Sequence, residues 1–485
     1  MAQNFQTKLF INNEYVSAKS GTYLVVRNPA DDSIVTDAVH SGGEEDVNDA
    51  VAAAQAAFKG PWSKMPGSER AKCMLKLADL LDENFESLMK LETIAMGQPV
   101  ALAAALGSLM GSTWRHYAGY CDKIPGELVP EGDDKTYKLI RYDPLGVCAG
   151  IAAWNATLYM LCMKIAPAVA AGNTFIFKSS EKSPLGSLPV GELIVKAGFP
   201  PGVINLLSGD GSTGALMASH MGIKKISYTG SVSSGRKVQI AATNSNLKRV
   251  TLELGGKSPS IIFKDADLEN ALVHSSQNFL FNSGQVCIAA TRILVQEEIA
   301  EEFTKGLKAR FDMFKGALGD PALPSTFLGP LADTAQKDRV VSFFEQAKKD
   351  GVEFLAGGKS NGNYVEPTIM NNPPLGSSVW RDEIFGPALA IRTFKTVEEA
   401  IELANDTTYG LAAYLFTRDI PLALRASKLI EAGTVSINAS IGGNIDMPFG
   451  GWKESGNGGR EGGRAGLMSY LEAKSIVINM QGGTG

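Results

Sequence analysis

Cys287 closes the run Phe281-Asn282-Ser283-Gly284-Gln285-Val286-Cys287, where a helical stretch gives way to a glycine-containing loop. A thiolate is a strong, soft nucleophile toward a carbonyl carbon, and a cationic cofactor beside an apolar loop would favour the ionised form. The other four cysteines, Cys73, Cys121, Cys148 and Cys162, fall in or beside apolar periodic stretches and read as packing residues. Glu253, in Leu252-Glu253-Leu254-Gly255-Gly256, is an acid at a strand end between two leucines. Burial there raises a carboxyl pKa toward neutrality and makes a base for water; a capping or salt-bridging glutamate is the competing reading. Asn155 stands at a strand-to-helix turn in the most apolar part of the chain. A buried amide must find a partner, and an oxyanion is one.

Three further runs have the composition of phosphate or ribose sites. Gly209-Asp210-Gly211-Ser212-Thr213-Gly214 matches GxGxxG between a strand-like and a helical stretch, as a dinucleotide loop requires. That fingerprint also needs an acid about twenty residues later, and none occurs between Asp210 and Glu253, so a plain turn is an equal reading. Thr229-Gly230-Ser231-Val232-Ser233-Ser234-Gly235 opens a helix with small residues that leave main-chain N–H groups free for a phosphate; ordinary N-capping is the alternative. Lys178 and Glu181, in Lys178-Ser179-Ser180-Glu181, follow a strand and suit the two hydroxyls of a ribose, against a solvated loop pair. In the ribose role Glu181 would repel a 2′-phosphate, which favours NAD over NADP.

The elements that must hold these residues alternate. Strands are expected at 146–153, 174–177, 203–207, 225–228 and 249–254, with helices to 171 and over 186–197, 214–220 and 234–243. Short strand-helix units of this kind predict a doubly wound parallel sheet. Ahead of them lie a hairpin at 8–16 turning on Asn12-Asn13, strand-like alternation over 23–36 around Asn28-Pro29, and a helix over 46–58. Helical periodicity resumes at Glu69 and runs to about Tyr120, with breaks expected near Gly97-Gln98-Pro99 and Gly107. A second alternating block spans 258–438, with helices expected at 268–279, 299–314, 340–350, 397–405 and 421–430. A Gly-rich stretch over 448–463 and a strand-like one over 474–480 follow.

At 485 residues the chain is long enough for two to four domains of roughly 150 residues. Forty-six basic residues against 51 acidic ones give a net charge of −5, which argues against nucleic acid as a partner. The four histidines (His40, His116, His220, His274) form no HxH or HExxH, and the cysteines no CxxC, so no metal site is expected and a reducing compartment is. Pro144 to Met163 carries no formal charge, but its glycines, Asn155 and Thr157 fit a buried strand, turn and helix better than a membrane span. No targeting segment is visible near the first residue, and the cytoplasm is the expected location.

Taken together, WN at 154–155, KSSE at 178–181, TGSxxxG at 229–235, ELGGKSP at 253–259, GQVC at 284–287, EIFGP at 383–387 and PFGGWKxSGxG at 448–458 resemble the NAD(P)-dependent aldehyde dehydrogenase superfamily, in order and over essentially the whole chain. The resemblance is to its non-acylating, hydrolytic class. It implies an α/β fold of two doubly wound parallel-sheet domains, a Rossmann-like cofactor domain and a catalytic domain, with a small β oligomerisation arm. The implied boundaries are 1–122 and 145–255 for cofactor binding, 256–454 for catalysis, and 123–144 with 470–485 for the arm. Cys287 becomes the nucleophile, Glu253 the base for water, and Asn155 with the Cys287 main-chain N–H the oxyanion site. Lys178 and Glu181 would hold the adenosine ribose, Gly230 and Ser231 the pyrophosphate, Glu383 the nicotinamide ribose and Phe385 the nicotinamide. Ile151, Ala152, Trp154 and Leu254 would line the cofactor cleft, with Gly211 near the adenine. The implied reaction runs through thiohemiacetal and thioester to a free acid. Relatives that pass the acyl group to coenzyme A generally lack the carboxylate at Glu253, and a non-catalytic scaffold would have no need of these groups in register.

Two departures from the family pattern bear on the substrate. Ala156-Thr157 replaces the usual Phe-Pro after the asparagine, and Gly442-Gly443 stands where an aromatic commonly lines the tunnel. The remaining wall is expected from Tyr159, Met160, Met163, Val286, Ile288 and Phe449, joined by Met110 and Trp114. Losing two rings widens the tunnel toward a bulky or long apolar aldehyde. A projecting hairpin with unpaired edges is unstable alone, and a homodimer or homotetramer is the expected assembly.

Overall fold

The computed structural model describes residues 5–130, 136–440 and 444–480. Its first sheet has seven strands in the order Arg249–Glu253, Lys225–Thr229, Val147–Ile151, Thr174–Lys178, Ile204–Leu207, Leu9–Ile11, Glu14–Val16. The first five are parallel; the Asn12-Asn13 hairpin, with both asparagines at positive φ, adds the last two antiparallel. The chain enters mid-sheet at Val147–Ile151, winds outward through Thr174–Lys178 and Ile204–Leu207, then returns to the other side at Lys225–Thr229. The strand order therefore reverses between Val147–Ile151 and Lys225–Thr229, the place where open α/β sheets leave a crevice at their carboxyl ends.

All five residues of Val147–Ile151 are buried because both faces are covered. Val147, Ala149 and Ile151 pack with Val47, Ala50 and Ala54 of helix Glu44–Lys59, while Cys148 belongs to the cluster of Leu161, Ile165 and Ala168 from helix Thr157–Ala170. A period of two along the strand and a helix on each side account for this division.

The second sheet runs Glu353–Ala356, Thr368–Asn371, Ala388–Phe394, Arg292–Gln296, Pro259–Ile262, Ala412–Phe416, Thr434–Ile437, all parallel except the edge strand Glu353–Ala356. Two parallel doubly wound sheets are the α/β architecture anticipated above. A third sheet sets Thr136–Pro144 between Leu471–Asn479 and Glu127–Val129, antiparallel to both. Leu128, Val477 and Ile478 are exposed on it. Residues 131–135 and 481–485 of the expected arm lie outside the described residues. Among those described, no helix is long and apolar enough to cross a membrane.

Three elements differ from their sequence patterns. The helix expected over 186–197 forms only at Val190–Lys196, because Pro189 lacks an amide hydrogen and its ring excludes a preceding helical turn. No break occurs at Gly107: Val100–Ala118 is one helix, and Gly107 sits where a Cβ would lie 2.4 Å from the Phe85 ring. The glycine there lets two helices approach closely. The helix expected over 268–279 is α-helical over Leu268–Val273, passes through a π turn at His274–Asn278 and is α-helical again at Phe279.

Candidate active site

The Cys287 loop is built on left-handed backbone. Asn282, Ser283 and Gly284 have φ of 52°, 55° and 71°, a run that turns the chain sharply before the cysteine. Conformations of this kind cost about 1–3 kcal/mol at a non-glycine residue and persist where surroundings hold them. Here Ser283 Oγ donates to the Gly329 carbonyl (2.8 Å), Gln285 Nε2 to the Asn282 carbonyl (3.1 Å), and the Ala332 N–H to Gln285 Oε1 (3.0 Å). Gly284 allows the loop to press on the next one, since a Cβ would lie 2.3 Å from the Gly386 carbonyl oxygen. At Gly256 a Cβ would lie 2.3 Å from the Cys287 carbonyl oxygen. Gly256 therefore lets the chain after Glu253 cross directly against the Cys287 loop.

A cavity of about 240 Å³ opens at this crossing, lined by Asn155, Glu253 and Cys287 together. The Asn155 amide is fixed: Nδ2 donates to the Gln285 carbonyl (3.0 Å), and Asn282 Nδ2 donates to the Asn155 carbonyl (3.1 Å). An amide nitrogen has two hydrogens, so one anchors the group and the second remains for the cavity. The rest of the wall is mainly apolar: Leu109, Ala156, Tyr159, Met160, Met163, Leu254, Phe281, Val286, Ile288 and Phe449.

Among the described residues, both carboxylate oxygens of Glu253 are buried without a hydrogen-bond partner. Desolvation, then repulsion from Glu461, holds its pKa well above the usual carboxylate range, against the pull of Lys164 and Arg460. Glu461 is itself engaged: Lys164 Nζ lies 2.6 Å from Glu461 Oε1, and the Ser227 hydroxyl donates to the same oxygen at 2.5 Å. Burial also pushes the Cys287 thiol up to about 12, with the charges of Glu383 and Glu253 adding to the effect. Glu383 is half-buried, and its Oε1 accepts the Gly256 N–H at 2.9 Å; desolvation moves its pKa up to about 7.

A larger cleft of about 500 Å³ lies at the carboxyl ends of Val147–Ile151 and Lys225–Thr229, and Thr229 lines both it and the cavity of Cys287. Ile151, Ala152, Trp154, Lys178, Glu181, Gly211, Gly230 and Ser231 all line the cleft. Lys178 is 2% exposed and donates to the Ser179 carbonyl, so the solvated-pair reading fails for it, while Glu181 is exposed. Ser231 caps helix Val232–Ser245, its hydroxyl accepting the Ser234 N–H. Asp210 likewise caps helix Gly211–Ser219. Phe385, at φ 61°, stands edge-on to Trp154 with ring centroids 5.3 Å apart.

Three expected positions fall elsewhere, and Glu383 and Phe385 line neither the cleft nor the cavity. Met110 and Trp114 are core residues, not cavity wall: both are buried between helices, Trp114 against the Phe199 ring, and Leu109 takes the lining position. Helical rotation of about 100° per residue explains how a one-residue displacement turns a side chain from cavity to core. Leu254 lines the Cys287 cavity instead of the cleft, against Gly235, where a Cβ would meet Leu254 Cδ2 at 2.6 Å. Gly443 lies outside the described residues. Sequence reasoning missed Lys164, Ser227 and Glu461, although a lysine closing a twenty-residue uncharged run was a signal of a buried, paired charge. Among the described residues, no three His, Cys, Asp or Glu side chains converge as a metal site would require.

Residues 15–476 match the family model for the aldehyde dehydrogenase family. The chain is 44% identical to human retinal dehydrogenase 2 over 483 residues, covering 98% of this chain and 92% of that protein. It is 42% identical to an aldehyde dehydrogenase of Davidiella tassiana, covering 98% and 95%. Among solved structures, a betaine aldehyde dehydrogenase from Staphylococcus aureus in complex with NAD+ superposes with a TM-score of 0.95 at 35% identity, covering 99% of this chain and 96% of that one. With a cysteine, an amide and an uncompensated carboxylate meeting in one cavity beside a cleft at the sheet's switch point, and with this likeness along nearly its whole length, the chain belongs to the aldehyde dehydrogenase family.

Proposed function

We propose that the protein oxidises a bulky or long apolar aldehyde to the free carboxylic acid, with NAD as oxidant and Cys287 as nucleophile. The observation that carries this reading is the cavity in which Cys287, Asn155 and the unpartnered Glu253 carboxylate meet. The cleft suits a dinucleotide: a buried lysine whose ammonium donates to a main-chain carbonyl, an open helix start at Gly211, and the capped helix N-terminus at Ser231. When bound, the nicotinamide supplies the hydride acceptor. The chain does the rest. Cys287 Sγ adds to the aldehyde carbon, and the second Asn155 N–H with the Cys287 main-chain N–H holds the resulting oxyanion. Once the carbon has become a thioester, Glu253 removes a proton from water, which attacks it and releases acid and thiol. The carboxylate at residue 253 favours water over coenzyme A as acyl acceptor.

Burial of the thiol has a measurable consequence. With a pKa near 12, about one cysteine in 10⁴ is thiolate at pH 8, and the fraction rises tenfold per pH unit. Alkylation of the cofactor-free protein by iodoacetamide should therefore be slow at pH 7 and climb steadily to pH 10. NAD should accelerate it at neutral pH, because a cation beside the sulfur lowers the pKa. A fast, pH-independent rate without NAD would contradict the assigned environment.

The apolar wall and the small Ala156 support a large substrate, as does likeness to an enzyme named for retinal. The direct test is NADH formation with acetaldehyde against a long-chain or polycyclic aldehyde, with and without coenzyme A. We expect kcat/KM at least about tenfold higher for the larger aldehyde, since each buried methylene contributes about 0.8 kcal/mol, and no dependence on coenzyme A. A preference for acetaldehyde would reject the substrate class. The three-stranded sheet with its exposed Leu128, Val477 and Ile478 supports the reading of that region as an oligomerisation arm.

A further inference from the structure

Beside the cavity of Cys287 lies a second one of about 270 Å³, and the two share the side chains of Phe281, Val286 and Ile288. Its wall is mainly apolar apart from one place, where His274, Asn278 and Ser440 come together. The π turn at His274–Asn278 sets the first two side by side; such turns are rare and gather at functional positions. Asn278 Nδ2 lies 2.6 Å from His274 Nδ1 and 3.1 Å from Ser440 Oγ. His274 Nδ1 accepts the Ser440 main-chain N–H at 3.1 Å, with the Ser440 hydroxyl 2.8 Å away. A ring nitrogen that accepts a main-chain N–H carries no proton, so Nε2 bears the hydrogen of the neutral ring. Burial favours that neutral form. Among the described residues no lysine or arginine lines the cavity, so an anionic group would find no counter-charge there.

We infer that His274, Asn278 and Ser440 form a subsite for an uncharged hydrogen-bonding group, a hydroxyl or carbonyl oxygen, at the far end of the aldehyde whose reactive end sits at Cys287. This rests on the reading of the Cys287 cavity as the aldehyde site. The substrate class it defines has an apolar middle, packed on Phe281, Val286 and Ile288, and a polar uncharged tail that accepts from His274 Nε2.

The test compares ω-hydroxyalkanals with the unsubstituted alkanals of equal chain length, from butanal to dodecanal, by NADH formation. At the length that spans both cavities the hydroxyaldehyde should be preferred about tenfold in kcat/KM, through KM, and shorter pairs should be near parity. His274→Leu and Asn278→Leu should each bring the long pair toward parity, and His274→Gln, which keeps a donor, should recover most of the preference. Equal values at every length, or a preference that survives both leucine variants, would overturn the subsite. If neither series is oxidised, the aldehyde reading itself has failed. Calorimetric binding of a long α,ω-diol against the matching primary alcohol then decides the subsite, with tighter diol binding supporting it and equal binding rejecting it.

Discussion

Cys287→Ala should abolish NADH formation with every aldehyde, by about 10⁴-fold or more, while leaving NAD binding within about twofold of the parent. The loss is large because nothing else in the cavity can replace the sulfur. Its remaining polar lining residues are amides, hydroxyls and two carboxylates: Glu461 is held by Lys164 and Ser227, and Glu253 is a poor nucleophile toward an unactivated carbonyl. NAD binding should persist because Cys287 does not line the cleft proposed for it, and its loop is fixed by Ser283, Gln285 and Asn282, all of which the variant keeps. Three measurements together make the case: turnover, NAD affinity by fluorescence, and intact mass after mixing with aldehyde and NAD, where the parent shows an acyl adduct and the variant none. Residual activity above about one per cent, or an adduct on another residue, would remove Cys287 from its role.

The parts of the site legible in the sequence were those fixed by main-chain geometry. Gly255-Gly256 and Gly284 occur where loops touch at distances no Cβ permits, and Asn155 occurs where a buried strand turns into a helix. Strand-helix alternation likewise gave the two parallel sheets, because strands buried on both faces leave continuous apolar runs. Positions that depend on helical phase were harder to read. Leu109 and Met110 are adjacent, equally apolar and on one helix, and only the packing of Val100–Ala118 against its neighbours decides which faces the cavity. The Lys164–Ser227–Glu461 group escaped for a different reason: its members are 63 and 297 residues from Lys164, and a pairing of that separation has no local pattern.

That group bears directly on the second large effect. Glu253→Gln should release about one equivalent of NADH per site rapidly and then turn over about 10²–10⁴-fold more slowly, with the acyl adduct accumulating. Glutamine keeps the volume of the side chain and removes only its charge and basicity, so thiol addition and hydride departure proceed while water goes unactivated. On the proposed reading the active form in the parent is the carboxylate, whose pKa is raised first by burial and then by Glu461. A raised pKa means that the base is protonated at low pH and gains activity as pH rises, so deacylation should show an acid limb well above the ordinary carboxylate range. Lys164 opposes the shift, and removing it as Lys164→Met both withdraws its positive charge and leaves Glu461 without its buried cation. Withdrawing that positive charge disfavours a charge on Glu253, so the acid limb should move to higher pH in Lys164→Met and vanish in Glu253→Gln. A burst in the glutamine variant with an unchanged steady state, or an acid limb that persists there, would transfer the base to another group. A limb that moved to lower pH in Lys164→Met would mean that the lysine acts on Glu253 by some route other than its charge.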